Sequence, residues 1–532
     1  MTSERKAARG PVAYVSDEYF TALADALVDL AGPTGTVTAR SSASGAVWAE
    51  LAPGEYRVVV AKQGYGAKRS NLLIREDVPP AHLRLLSDTP YGYLWPKHVR
   101  VGERSELRVH GPEPYELNLW RYGLNRECIE RIGQFPCLHP VGGQRQTVPD
   151  GDLARSGVAW VPEPLGPRQT IEAPARSGLY YVHMKTSSGR FAAFPWIVAP
   201  RSPSAEVAVL GANITWNAYN NFGGRSNYVA GDRLPDQPII NPHQDLHWYR
   251  ADGVGKWVED AYEPISFDRP EPWNAPGEHD EIDAPLEPVG IEHTAPADWR
   301  LLGWLEREGV SYDYYADSQL ADGTLDLAEY RVLVLGAHAE YWTRGMYERV
   351  SRWVTEEGGR LMYLGGNGID CEVELRGDTM VVFNEDSRRW ATRAETRFEA
   401  HGAPSAPLLG VVTTMAGMGT GAPYRLLVDG HWIFETTQLQ AGDLFGTRSL
   451  DHRCPGGASG HETDKVSRHA PPGLVHLARG ENVDEGGADM VYVEHPSGGR
   501  VFSAGSISYV ATLLVDHHIS TLTANVLRRF LA

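Results

Sequence analysis

Only four cysteines, Cys128, Cys137, Cys371 and Cys454, occur in 532 residues, and none stands in a Cys-x-x-Cys spacing. That excludes a disulfide scaffold or a zinc ribbon and sets the expectation of a reducing cytoplasm. Apolar runs of the ~18 residues needed for a membrane span are missing. The opening Met1-Thr2-Ser3-Glu4-Arg5-Lys6 is followed by no signal-peptide core of roughly 7 to 15 apolar residues. A basic stripe is missing too: 50 Lys and Arg face 68 Asp and Glu, a formal charge of -18. Such a surface has no counterions to exchange with a polyphosphate and is repelled by anionic lipid, so neither nucleic acid nor membrane is expected as a partner.

What is present is the composition of an ordinary globular protein, 42% hydrophobic and 22% charged. The length exceeds what one core supports, so two or three domains are expected. Apolar residues at helical spacing from Tyr19 to Leu30, ended by Gly32-Pro33, predict an amphipathic helix. Short alternating runs follow, such as Tyr56–Ala61, Glu106–His110, Tyr115–Trp120 and Gly178–Lys185, with turn residues between them. Residues 1–90 therefore read as a helix plus a small β-sandwich module and 91–204 as a second β-rich module.

After Pro200-Arg201-Ser202-Pro203-Ser204 the pattern changes. A continuous apolar strand at Val207–Leu210 and strands at Tyr330–Leu335 and Gly359–Leu364 alternate with helical periods at Trp299–Arg307, Gly345–Glu357 and Ser520–Leu531. Residues 205–532 are thus expected to form an α/β domain on a parallel sheet. Two irregular insertions interrupt it, Asn213–Pro296 and Phe383 to about Pro472.

Ligands of open parallel sheets sit beyond the carboxyl ends of the strands, so the loops after Leu210, Leu335 and Leu364 should converge. They carry Thr215–Tyr228, Gly336-Ala337-His338-Ala339-Glu340-Tyr341-Trp342 and Gly365-Gly366-Asn367. His338 and Glu340 share a face if the chain is still extended there, offering a base beside a carboxylate. An isolated His-x-Glu is equally compatible with a glutamate that starts the next helix and a histidine packed in the turn. Rival sites lack their signatures: Ser506 has no Gly-x-Ser-x-Gly elbow, and neither Cys128 nor Cys137 lies in the α/β region as an amidotransferase nucleophile would. Met415–Gly421 is glycine-rich but is followed by no Lys-Ser/Thr, and His517-His518 reads as a helix cap.

Four ordered motifs carry a resemblance: Thr215-Trp216-Asn217-Ala218-Tyr219-Asn220 with Gly223-Gly224-Arg225-Ser226, then Ser266-Phe267-Asp268-Arg269-Pro270, then Gly336–Trp342, then Gly366-Asn367. From about Val207 onward the chain resembles the catalytic domain of the N,N-dimethylformamidase large-subunit family. The resemblance implies a class I glutamine-amidotransferase-like fold and a mononuclear Fe(III) centre of two tyrosines and one glutamate. Carried over by motif, Tyr219 and Glu340 are implied as iron ligands and His338 and Asn367 as catalytic groups, His338 as base and Asn367 as donor to the oxyanion. For the second tyrosine the reading chooses Tyr262, with Tyr228 as substitute. An iron-dependent amidohydrolase is implied, acting on a small-molecule N-substituted amide or formamide. If the Pro-, Asp- and Glu-rich stretch from Gln237 to Arg300 lines the pocket, the substrate is not restricted to dimethylformamide. The expected assembly is a homo-oligomer with a separately encoded small subunit. The alternative is a non-catalytic or carbohydrate-binding protein on the same fold, because fold alone does not convey activity.

Overall fold

The computed structural model describes residues 10–136, 148–158, 169–240, 262–277, 283–287, 293–384 and 386–532. Of Gln237–Arg300, expected above to line the pocket, residues 241–261, 278–282 and 288–292 lie outside the described residues.

Residues 19–30 form no helix, a correction to the sequence reading. Phe20 and Asp25 adopt positive φ, 63° and 58°, which a helix cannot contain. The Asp17 carboxylate takes the amides of Tyr19 and Thr21, closing a local turn. Leu27–Gly32 is then a strand. Ala26, Val28 and Leu30 are fully buried at a spacing of two, so a β period was hidden inside the apparent helical one.

That strand belongs to a four-stranded antiparallel sheet with Gly35–Arg40, Gly54–Lys62 and Gly66–Ile74. Its inner face packs on a three-stranded sheet of Ala46–Val47, Ala13–Ser16 and Ala81–Arg84 through Val28, Leu30, Val58, Val60, Val15, Val47 and Leu83. A second sandwich sets a five-stranded sheet, with Gly178–Thr186 at its centre, against a three-stranded sheet centred on Arg104–His110. Leu117, Leu119, Val182 and Trp196 face Leu94, Leu107 and Ile171 in its core.

The remaining core surrounds a nine-stranded sheet. In chain order its strands are β1 (Val207–Gly211), β2 (Asp313–Ala316), β3 (Val332–Leu335), β4 (Arg360–Tyr363), β5 (Tyr424–Leu426), β6 (Leu444–Phe445), β7 (Val475–Gly480), β8 (Asp489–Glu494) and β9 (Arg500–Ser503). The spatial order is β2-β1-β3-β4-β9-β8-β7-β5-β6. Pairing is parallel from β2 through β9 and antiparallel beyond. β1 and β3 are buried along their whole length, which is why they read as unbroken apolar runs.

Helices α1 (Asn213–Tyr219), α2 (Ala295–Arg307), α3 (Arg344–Thr355) and α4 (His517–Leu531) follow the sheet's strands. α2 and α4 contribute Trp299, Leu302, Leu305, Leu522, Val526 and Phe530 to one core, while α3 buries Met346, Val350 and Val354 in the other. The second insertion has strands of its own, with Val411–Thr414 paired antiparallel to Thr463–Val466. Among the described residues no helix is long and apolar enough to cross a membrane.

Candidate active site

β1, β3 and β4 run parallel, so the segments leaving their carboxyl ends meet on one side of the sheet. α1 leaves β1 and ends on Tyr219. Gly223 and Gly224, at φ 100° and 85°, fold the chain back on itself and bring Tyr228 against Tyr219, ring centroids 4.4 Å apart. Residues with a Cβ rarely adopt that backbone, which explains the Gly-Gly pair.

After β3 the chain carries His338 and Glu340, with only 2% and 1% of their surface exposed. After β4, Gly365 passes so close to β3's exit that a Cβ would stand 2.4 Å from the Ala337 carbonyl. A Cβ on Gly366 would stand 2.4 Å from the carbonyl of Glu462. These approaches deliver Asn367, at φ 51°, beside His338. Asn367's amide N–H donates to Asp464 Oδ1 at 2.8 Å, which fixes the turn.

Three oxygens meet at the centre. Tyr219 Oη lies 2.9 Å from Glu340 Oε2, Tyr228 Oη lies 2.8 Å from Tyr219 Oη, and Tyr228 Oη lies 2.9 Å from Glu340 Oε2. Tyr341 Oη stands a further 2.8 Å from Tyr228 Oη and takes an N–H from Asn227 Nδ2 at 2.5 Å. A phenol has one proton, so the triangle holds more oxygen lone pairs than protons to share among them. Glu340's other oxygen is held by Arg397 Nη2 at 3.0 Å, and Arg397 Nε is held by Asp370 Oδ2 at 2.8 Å. The carboxylate edge that faces the tyrosines is thereby fixed.

The Ser266–Pro270 motif frames this centre. Arg269, fully buried, donates to the carbonyls of Ser266, Phe222, Arg225 and Asn217 at 2.8, 2.7, 3.1 and 3.1 Å. It thus ties the segment between Tyr219 and Tyr228 to one strand. Tyr262, the sequence-based choice for second tyrosine, is not brought to the triangle. Its backbone N–H pairs with Val382, its ring covers Gly231, and Tyr228 takes the place beside Tyr219 and Glu340.

Glu462 escaped the sequence reading. It enters from the second insertion, next to the strand Thr463–Val466, and its Oε2 lies 3.3 Å from His338 Nε2. Glu340 Oε2 lies 3.3 Å from the same nitrogen. Asn367 Nδ2 donates one of its two N–H groups to Glu462 Oε2 at 2.8 Å, and its Oδ1 has no partner among the described residues. Arg397, His293 and His461 also went unread. The run Gly460-His461-Glu462-Thr463-Asp464 was the signal in the sequence, dense in ligating and titratable groups.

Burial disfavours the charged form of His338, but its hydrogen bonds and charge interactions with Glu340 and Glu462 outweigh that and raise its pKa to about 9. For Glu462 burial works the other way, and the neighbouring His338, His461 and His293 hold it below the ordinary carboxylate range. Burial lowers His461 to about 4 and, helped by the positive potential of His338 and His461, lowers His293 well below its ordinary value. Tyr219 and Tyr228 are pushed well above 10, by burial first and by Glu340's charge second. At neutral pH the protein's own groups thus give a cationic His338 between two carboxylates, with both phenols protonated.

The donor set fits a trivalent metal. Its three oxygens lie within 2.9 Å of one another, close enough that Tyr219, Tyr228 and Glu340 could share one ion. Two phenolates and a carboxylate would bring three negative charges to balance it in a buried place.

A family model described as "N,N-dimethylformamidase beta subunit-like, C-terminal" matches residues 144–521. The N,N-dimethylformamidase beta subunits of Alcaligenes sp and Paracoccus aminophilus are each 24% identical to the chain over 405 residues, 63% of this chain and 50% of theirs. The chain spans about half the length of these curated relatives. Among solved structures, a ThuA-like protein from Bacteroides uniformis aligns at a TM-score of 0.28 and 11% identity, over 45% of this chain and 84% of that one, too weak a likeness to carry an argument.

Proposed function

The chain belongs to the N,N-dimethylformamidase beta subunit-like family, and we propose on that premise that it is an iron(III)-dependent amidohydrolase that splits an N-substituted amide or formamide into carboxylate and amine. The amidotransferase-like fold is part of the same proposal, supported by the parallel half of the nine-stranded sheet. The observation that carries the reading is the triangle of Tyr219, Tyr228 and Glu340 oxygens beside a buried His338.

Tyr219, Tyr228 and Glu340 would hold the ion. Bound there, iron(III) supplies Lewis acidity, polarising a carbonyl and acidifying water. Arg397 holds Glu340 Oε1, which also lies 3.1 Å from Tyr228 Oη, and leaves Oε2 between the two tyrosines. Glu462, ionised and hydrogen-bonded to Asn367, accepts the proton of the attacking water. His338, with Nε2 3.3 Å from Oε2 of both Glu340 and Glu462, is placed to pass that proton on to the departing amine. The proposal thus divides the work expected of His338 alone, with Glu462 as base and His338 as acid. The relatives are named beta subunits, and assembly with a small subunit is part of the proposal.

The test is to load the purified chain with ferric iron, alone and with any co-purifying small subunit, and to follow amine release from a panel of formamides and acetamides. Turnover that requires iron and is lost in Glu462→Gln supports the reading. Full iron occupancy with no amide hydrolysed would defeat it.

A further inference from the structure

One guanidinium reaches the oxygen triangle from two sides. Arg397 Nη2 donates to Glu340 Oε1 at 3.0 Å, and its Nη1 donates to Asn384 Oδ1 at 3.2 Å. From Asn384 a line of buried side chains runs back to the second tyrosine. Asn384 Nδ2 bonds Asn227 Oδ1, Asn227 Nδ2 lies 2.5 Å from Tyr341 Oη, and Tyr341 Oη lies 2.8 Å from Tyr228 Oη. Asn227, Tyr341 and Asn384 are each no more than 1% exposed. They come from the segment after α1, the exit of β3 and the second insertion, so only the folded chain brings them into line.

The direction of every bond in this line follows from its first member. An arginine can only donate, so Asn384 presents its oxygen to Arg397 and its NH2 group to Asn227. Asn227 in turn presents its oxygen to Asn384 and its NH2 group to Tyr341. Tyr341 Oη accepts there, and its single proton is left for Tyr228 Oη.

Tyr219 is served differently. Its Oη lies 2.9 Å from Glu340 Oε2 and 2.8 Å from Tyr228 Oη. A carboxylate has no proton to give, and Tyr228 loses its own on becoming a ligand. Among the described residues, one phenolate would therefore keep a donor and the other would have none.

We propose that Tyr341 is a positioning residue of the iron site, taken as the centre argued above, and that its proton makes Tyr228 the weaker and Tyr219 the stronger of the two phenolate donors. A hydrogen bond to a charged acceptor is about twice as strong as one between neutral groups, and a buried place strengthens it further. A phenolate that accepts one passes less negative charge to its metal. Two phenolates and a carboxylate cancel a trivalent charge and blunt its Lewis acidity, and Tyr341 restores part of it.

The experiment reads the visible band and the iron(III)/iron(II) midpoint potential of the iron-loaded protein and of two variants. Tyr341→Phe keeps the ring and removes the proton. Its band should move to longer wavelength, because a phenolate without a donor gives up charge more readily. Its potential should fall by the equivalent of about tenfold in relative affinity for iron(III). Asn227→Asp keeps the size of the side chain but, as a carboxylate, can only accept, so it should draw the Tyr341 proton away from Tyr228 and shift both readings the same way. Placed in Tyr341→Phe, the same change has no proton to redirect and should add little. A merely structural loosening would lower iron content and band intensity without this pattern.

A band and a potential unmoved in Tyr341→Phe overturn the proposal and leave the ferric reading standing. Equal effects of Asn227→Asp with and without the Tyr341 hydroxyl overturn the directed line of bonds. If Tyr341→Phe fails to fold, an unmoved band in Asn227→Asp overturns the proposal by itself. A wild-type protein that binds no iron, or binds it without a visible band, overturns the ferric reading and the proposal with it.

Discussion

Arg269 and His293 are both buried polar side chains, and they are treated in opposite ways. Arg269 is pushed down to about 9 by burial, yet it finds four carbonyls and the Asn217 side chain within 3.2 Å. Its neighbour Arg225 does the same with Asp152 and the carbonyls of Gly231, Glu263 and Pro264. His293 is equally buried and both its nitrogens are idle. Arg269 and Arg225 spend their guanidinium groups on the protein, whereas His293 holds both of its nitrogens back. Where a fold satisfies every donor the residue is structural, and where it leaves several unmet in one place a ligand is expected.

Breaking the site should have the largest effect. Glu340→Gln keeps the shape and removes the charge between two tyrosines and Arg397. Iron content by elemental analysis should fall to near zero and kcat/KM by about 10³-fold or more. An iron-replete variant with ordinary turnover would refute the ligand assignment.

Breaking the frame should cost stability instead. Arg269→Met strands the four carbonyls and should lower unfolding free energy by about 3–5 kcal/mol, read from the urea midpoint. An unmoved midpoint would mean the motif serves some purpose other than fixing the segment from Asn217 to Arg225.

A third difference concerns protons. Tyr219 and Tyr228 stay protonated well above pH 10 with the protein's own groups alone, so iron must displace two protons to bind them as phenolates. Affinity should rise by about 100-fold per pH unit near neutrality, measured by competition with a chelator at pH 6 and 7. A pH-independent affinity would show that the tyrosines are not ligands.

The smallest effect sits beneath the site. Asp298 is buried under the Gly336 turn, where Tyr314 Oη donates to it at 2.9 Å. Burial raises its pKa to about 7 against those hydrogen bonds. The folded protein holds this proton after the unfolded chain has released it, so the group's contribution is full below about pH 4 and is lost as pH rises through about 7. Asp298→Asn should therefore gain on the order of 4 kcal/mol relative to wild type on going from pH 4 to pH 8 in urea unfolding. A constant difference between the two would remove Asp298 from the account.

Much of the frame was legible because burial writes itself into sequence. β1 and β3 are buried along their whole length and read as unbroken apolar runs, and the strand at Arg360–Tyr363 is buried and apolar after its first residue. The loops after such runs hold Tyr219, His338, Glu340 and Asn367, and the motifs shared with the family singled those four out. Residues 19–30 were misread because Ala26, Val28 and Leu30 satisfy a period of two inside a pattern that also fits a period near four, and only the positive φ of Phe20 and Asp25 decides between them. Tyr228 lost to Tyr262 because spacing does not reveal that Gly223-Gly224 turns the chain back. Glu462 and Arg397 come from an insertion with no period, and only the close approach of Gly366 to Glu462 shows where that insertion lands.

The central claim is that Tyr219, Tyr228 and Glu340 together hold one ferric ion, and its most direct test is the visible absorption of the iron-loaded protein. Phenolate-to-iron(III) charge transfer absorbs visible light, so the account predicts one iron per chain with a visible band that Tyr228→Phe weakens or shifts and Tyr262→Phe leaves unchanged. Full iron occupancy without a visible band, or a band lost in Tyr262→Phe and kept in Tyr228→Phe, would contradict it.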